Sequence, residues 1–73
     1  MAITSADLQA ELGANPMNAQ VLRANEAQGS DNTKQEWYVI GNVDAPGRAR
    51  WVSTTASDNA ATQAAAVLTA LRA

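Results

Sequence analysis

Two runs of β-branched and aromatic residues, EWYVIGNV (36–43) and RARWVSTT (48–55), stand at the centre of the hydrophobic pattern of this chain. Between them lies the tetrapeptide DAPG (44–47), in which Pro and Gly occupy the positions that a type II turn favours. Two runs of this composition around a short turn predict a β-hairpin. The hairpin contains every aromatic residue of the chain, namely Trp37, Tyr38 and Trp51.

The segment before the hairpin carries apolar residues at helical spacing. Thr4 and Asp7 have the spacing of a capping box, and Leu8 and Leu12 lie one helical turn apart. These features predict a first helix at about 5–12.

A second helix is predicted over 15–28. It begins at Asn-Pro, which combines a favoured N-cap with a residue that the first helical turn tolerates. Its narrow apolar stripe consists of Met17, Val21 and Ala24, with Leu22 beside them, and Gly29 ends the helix. The following residues GSDNT have the composition of an exposed loop.

A third helix is predicted from a cap at Ser57 or Asp58 to the C-terminus. Its apolar stripe contains Ala60, Ala64, Val67, Leu68 and Leu71, widened by Ala61 and Ala65. The chain is therefore predicted to form one small α+β domain over 1–73, in the order α-α-β-β-α, with one β-hairpin packed against helices.

Both faces of the predicted hairpin carry large apolar side chains. Because side chains alternate along a strand, Trp37 and Val39 point to one face while Tyr38 and Ile40 point to the other. Helices of this length can cover one face, which leaves aromatic surface for a partner. The predicted interaction surface comprises Trp37, Tyr38, Ile40, Arg48, Arg50 and Trp51.

The composition removes several classes of function. The chain contains no Cys and no His, so disulfides and the usual zinc sites are excluded. Its seven carboxylates are spread singly along the chain and form no convergent catalytic set. We therefore predict no catalytic residues, no metal, no cofactor and no enzymatic activity.

The charge of the chain is low. Charged residues make up 16% of the sequence, and the formal net charge is −2. A weakly self-repelling surface suits packing against copies of the same chain or another subunit, whereas adhesion to nucleic acid favours a basic domain.

No basic segment followed by an apolar run opens the sequence, and no window is long and apolar enough for a membrane span. The expected location is cytoplasmic, or virion-associated if the Ala/Asn/Gln-rich chain is phage-encoded.

From Trp37 onward the sequence resembles the second half of double-stranded-RNA-binding domains, in which strands precede a capped helix with paired alanines. The corresponding segment here is SDNAATQAAAVLTAL, from Ser57 to Leu71. The predicted elements lack the third strand of that family. Asp58 and Asn59 stand where the family has lysines that contact phosphate, so the resemblance does not carry RNA binding over to this chain.

The sequence favours a non-enzymatic protein-interaction module or a structural accessory module. A subunit of a larger assembly, such as a phage-derived one, fits this description. Its expected partner is another protein or a second copy of the chain, without a membrane. The alternative is a small nucleic-acid-binding or regulatory module that uses Arg48, Arg50 and the aromatic residues for stacking and phosphate contacts.

Overall fold

The computed structural model of the chain describes residues 3–13, 19–25, 33–41 and 48–72. Its elements are α1 (Ser5–Gly13), β1 (Ala19–Asn25), β2 (Lys34–Gly41), β3 (Arg48–Thr55) and α2 (Ala60–Arg72). The strands form one antiparallel sheet in the order β1-β2-β3. The α+β class and the hairpin are confirmed, but the order is α-β-β-β-α and not α-α-β-β-α.

The predicted second helix is wrong where the structure describes it, because 19–25 form a strand. The helical stripe offered little to bury, and Ala24 on that stripe is exposed. As a strand, the segment satisfies its backbone groups by pairing with β2, whose edge would otherwise stay open. The chain thus has the third strand that the predicted elements lacked. The remainder of 15–28 and the loop over 29–32 lie outside the described residues.

The hairpin has a continuous register. Eight consecutive pairs join β2 to β3, from Lys34 opposite Thr55 to Gly41 opposite Arg48. The second strand has the predicted bounds, whereas the first begins two residues earlier than predicted. The last two residues of its predicted run, 42 and 43, lie outside the described residues. The DAPG turn lies outside the described residues.

Both helices pack on one face of the sheet. α1 contacts β1 and α2, and α2 also contacts β3. The resulting core joins strand residues and helix residues in one cluster: Leu8, Leu12, Ala19, Trp37, Val39, Val52, Ala64, Val67, Leu68 and Leu71. The face that carries Trp37 and Val39 is therefore the inner face of the sheet.

The capping box of α1 is confirmed. The backbone N–H of Thr4 donates to Oδ2 of Asp7 (3.1 Å), and the backbone N–H of Asp7 donates to Oγ1 of Thr4 (3.1 Å). Ile3, just before the cap, packs against the core that contains Leu8, as a hydrophobic staple requires.

The start of α2 differs from the prediction. Asn59, and not Ser57 or Asp58, caps the helix, since its Oδ1 accepts from the N–H of Thr62 (2.8 Å). The cap lies later because the residues after β3 first form a turn, in which the N–H of Asp58 donates to the carbonyl of Thr55 (3.0 Å).

The buried stripe of α2 also differs from the prediction at four positions. Ala60 is only half-buried. Ala61 and Ala65 are exposed and do not widen the stripe. Gln63 is buried in their place, because its side chain finds hydrogen-bond partners in the sheet. A polar residue therefore occupies a core position that an apolar pattern could not reveal.

Candidate interaction surface

The face of the sheet opposite the helices, here called the open face, is not covered by either described helix. Strand pairing places three rows of side chains on it, because directly opposed residues of an antiparallel pair point to the same side. The rows are Gln20–Ile40–Ala49, Arg23–Tyr38–Trp51 and Asn25–Glu36–Ser53.

The middle row is the most distinctive feature of the open face. Tyr38 lies between Arg23 on β1 and Trp51 on β3. The rings of Tyr38 and Trp51 contact each other with centroids 5.3 Å apart and planes tilted by 39°. Trp51 remains 54% exposed, while Tyr38 is half-buried and Arg23 is exposed. A cation and two aromatic rings thus lie side by side across three strands.

The two neighbouring rows differ in polarity. Ile40 and Ala49 are half-buried and extend the apolar centre of the open face. On the other side, Nδ2 of Asn25 donates to Oε1 of Glu36 (3.1 Å), which forms a polar border. Leu22 lies on β1, where the pairing register with β2 shifts between Val21 and Arg23. Its side chain is 47% exposed.

The structure divides the six predicted surface residues between the two faces. Tyr38, Ile40 and Trp51 lie on the open face. Trp37 is fully buried, and its Nε1–H donates to Oγ1 of Thr54 (2.8 Å), so it belongs to the core. Strand alternation predicted this separation but not which face the helices cover.

The two predicted arginines do not join the aromatic row. Arg50 lies opposite Val39 on the inner face, and its Nη1 donates to the carbonyl of Ala70 near the end of α2 (3.1 Å). A cation at this position also interacts favourably with the helix dipole. Arg48 lies opposite Gly41 at the first position of β3.

Arg23 is the surface residue that the sequence reasoning missed. The hydrophobic pattern assigns Arg23 to the predicted second helix and therefore does not indicate its alignment with Tyr38. The available signal was the unpaired edge of the predicted hairpin, which a third strand would satisfy.

The open face provides ring stacking, apolar contact and hydrogen bonding. Across the described ranges, no group of three or more Asp, Glu, His or Cys residues is arranged to hold a metal ion. No helix in these ranges is long and apolar enough to cross a membrane.

Searches for a similar family model, a similar curated protein and a similar solved structure found no match.

Proposed function

We propose that this chain is a non-enzymatic interaction module whose open face binds a partner protein. The observation that carries the proposal is the Arg23–Tyr38–Trp51 row, in which a 54% exposed tryptophan lies on a sheet face that no described helix covers. An exposed tryptophan supported by a second ring is a large apolar surface that is already held in place.

The arrangement of the open face matches the anatomy of a protein interface. Such interfaces have an apolar centre within a polar rim, and Trp, Tyr and Arg dominate their binding energy. Here Tyr38, Trp51 and Ile40 form the centre, while Gln20 and Glu36 lie at the rim. The pairing of rings also limits the side-chain entropy that is lost on binding, because Trp51 is already packed against Tyr38.

Binding of single-stranded nucleic acid is the second candidate, because the same row offers two rings for base stacking beside Arg23. Lys34 is exposed and lies on the same side of the sheet, adding a second cation. Against this, Arg50 is engaged by α2. The start of α2 is capped by Asn59, and residues 57–60 contain no lysine. The net charge of −2 also favours the protein partner.

The test begins with affinity capture by the wild-type chain, followed by purification of each captured protein. Each is then titrated against wild type, Trp51→Ala and the matched rim variant Gln20→Ala. We expect Trp51→Ala to weaken binding about 30-fold or more, as loss of a hot spot of about 2 kcal/mol requires, and Gln20→Ala to bind like wild type. Equal binding by all three chains contradicts the proposal.

The fluorescence of wild type provides an independent readout. Trp37 is buried and Trp51 exposed, so iodide should quench Trp51 selectively, and a bound partner should protect it.

The second candidate is tested by titrating a thymidine oligonucleotide and a single-stranded RNA at several salt concentrations. Tight binding that falls steeply with salt would favour nucleic acid over protein.

A further inference from the structure

The two outer edges of the sheet are treated differently. On β1, Nε2 of Gln9 donates to the carbonyl of Ala19 (3.0 Å), and Oε1 of Gln9 accepts from the N–H of Val21 (2.8 Å). The register of β1 is also interrupted between Val21 and Arg23. A bulge and cover by a helix are two of the devices that protect a sheet edge from further pairing. Here the side chain of Gln9, on α1, clamps the outward groups of Ala19 and Val21.

Within the described residues, the edge at β3 has neither a side-chain clamp nor a bulge. Its eight residues pair with β2 without interruption, and no described strand lies on its other side. The segment RARWVSTT contains no Pro and is rich in strand-forming residues. A long and regular edge of this kind is a template for a further strand.

The alternation of hydrogen-bonded and non-bonded pairs between β2 and β3, here called the hydrogen-bond phase, shows which backbone groups of β3 point outward. The N–H of Ala56 donates to the carbonyl of Thr33 (2.9 Å), just beyond the first pair of the ladder. Because bonded and non-bonded pairs alternate in an antiparallel ladder, Thr54, Val52 and Arg50 direct their backbone groups toward β2. The N–H and C=O groups of Ala49, Trp51 and Ser53 consequently point away from the sheet.

We propose that β3 pairs antiparallel with β3 of a second copy, about a two-fold axis at Trp51, to form a continuous six-stranded sheet. This proposal concerns the sheet edge and goes beyond the binding proposed for the open face. In this register the N–H of each Trp51 donates to the C=O of Trp51 in the other copy, and Ala49 pairs with Ser53. Each of these residues presents the outward groups that such a ladder requires.

The hydrogen-bond phase also fixes how the two copies face each other. Residues that bond across the new edge all belong to the open face, so the open faces of both copies lie on the same side of the joined sheet. The helices of both copies then lie together on the opposite side. The Arg23–Tyr38–Trp51 row continues into its symmetry mate and becomes a row of six side chains.

Charge and aromatic pairing select the register. An axis at Arg50 would place two Arg50 side chains opposite each other, and an axis at Ala49 would place Arg48 opposite Arg50. Like charges directly opposed destabilise a strand pair, whereas aromatic pairs stabilise it. An axis at Trp51 avoids both oppositions and brings the two Trp51 rings together.

A second copy of the chain is the favoured partner for the edge of β3, because β3 is self-complementary in this register. One strand supplies both sides of the ladder with compatible residues, and the net charge of −2 gives little repulsion between copies. A 73-residue domain without cysteine also has a small core that association would reinforce.

Sedimentation equilibrium over a range of concentrations tests the dimer. We expect wild type to shift from the 7.6 kDa monomer to twice that mass as concentration rises. Ser53→Pro removes an outward N–H on both copies without removing a bond to β2, and edge strands tolerate proline at such positions. It should raise the dissociation constant about tenfold or more, while Ser53→Ala should not.

A second pair of variants keeps the test informative if proline disturbs the fold. Trp51→Lys places two cations opposite each other at the axis and should abolish the dimer. Gln20→Lys adds the same charge on β1, on the same face but away from the axis, and should leave dimerisation unchanged. A strictly monomeric wild type, or a dimer that both Ser53→Pro and Trp51→Lys leave intact, overturns the proposal.

Cysteine cross-linking tests the register, since the chain has no native cysteine. Mixed Ala49→Cys and Ser53→Cys chains should form a disulfide-linked heterodimer, because opposed residues lie about 5.5 Å apart at Cα. Neither variant alone should cross-link, as identical positions are offset by about 13 Å along the strand. Failure of the mixture to cross-link overturns the proposed pairing.

Ser53→Pro keeps the aromatic row, so partner binding by the open face can be measured separately from the dimer.

Discussion

At the scale of single residues, Gln63 links α2 to the sheet by hydrogen bonds within the core. Its Nε2 donates to Oε1 of Gln35 (2.9 Å) and to the carbonyl of Asp58 (2.9 Å). Its Oε1 accepts from the hydroxyl of Thr54 (2.6 Å), which in turn accepts from Nε1 of Trp37. In the described residues no buried side-chain nitrogen or oxygen lacks a partner. The network therefore orients Trp37 without leaving an unpaired polar group.

We expect Gln63→Leu to destabilise the fold by about 1–3 kcal/mol, since it removes the near acceptor of the Thr54 hydroxyl and a donor to Oε1 of Gln35. The Thr54 hydroxyl then keeps only the longer contact to the carbonyl of Gln35 (3.4 Å) as an acceptor. Leucine fills a similar volume, so the loss reports hydrogen bonding more than packing. Urea denaturation measures it. Gln20→Leu makes the same chemical change at an exposed position and should stay within about 0.5 kcal/mol of wild type. Equal stability of the two variants would show that the network contributes little.

Residue patterns in the sequence predicted part of this arrangement. Alternation separated Trp37 from Tyr38 and Trp51, and the spacing of Thr4 and Asp7 predicted the cap of α1. The pattern could not show which face is inner, because both carry large apolar groups. The inner face also buries Gln35 and Thr54, two polar residues that an apolar pattern does not mark as core.

At the scale of elements, β1 is the part that sequence reasoning did not predict. Val21 and Ala24 fit a helical stripe, and local spacing alone cannot decide between helix and strand in a short apolar run. The segment forms a strand because it pairs with β2, a partner outside the segment that its own spacing does not reveal. The hairpin and α2 were predicted because their own composition and spacing contain the signal.

The clamp by Gln9 should control how firmly β1 is held. We expect Gln9→Ala to accelerate hydrogen exchange of the Val21 amide strongly, because that N–H loses its acceptor, and to lower stability by about 1–2 kcal/mol. Alanine is a better helix former than glutamine, so α1 itself should not weaken. Amides in the centre of α2, such as that of Val67, serve as the internal control and should change only with global stability. Unchanged exchange at Val21 would mean that the clamp does not secure the strand.

At the scale of the whole molecule, the sheet separates stability from recognition. The inner face holds Trp37, Val39 and Val52 against both helices, and the open face holds Trp51 and Tyr38 away from them. A domain of 73 residues has a total stability of roughly 4–11 kcal/mol, so the loss of one large core side chain removes much of it. The two tryptophans should therefore respond very differently to the same substitution.

We expect Trp37→Ala to cost about 3–5 kcal/mol and to leave a large fraction of the chain unfolded, because it empties the centre of the core and removes the donor to Thr54. Trp51→Ala loses the contact with Tyr38 and should cost about 0.5–1.5 kcal/mol in dilute, monomeric protein. Circular dichroism during urea denaturation measures both. Working below the concentration at which copies associate keeps any dimer contribution out of the comparison. If Trp51→Ala proves as destabilising as Trp37→Ala, the open face supports the monomer's fold, and its exposed ring is no longer available as the basis for an interaction surface.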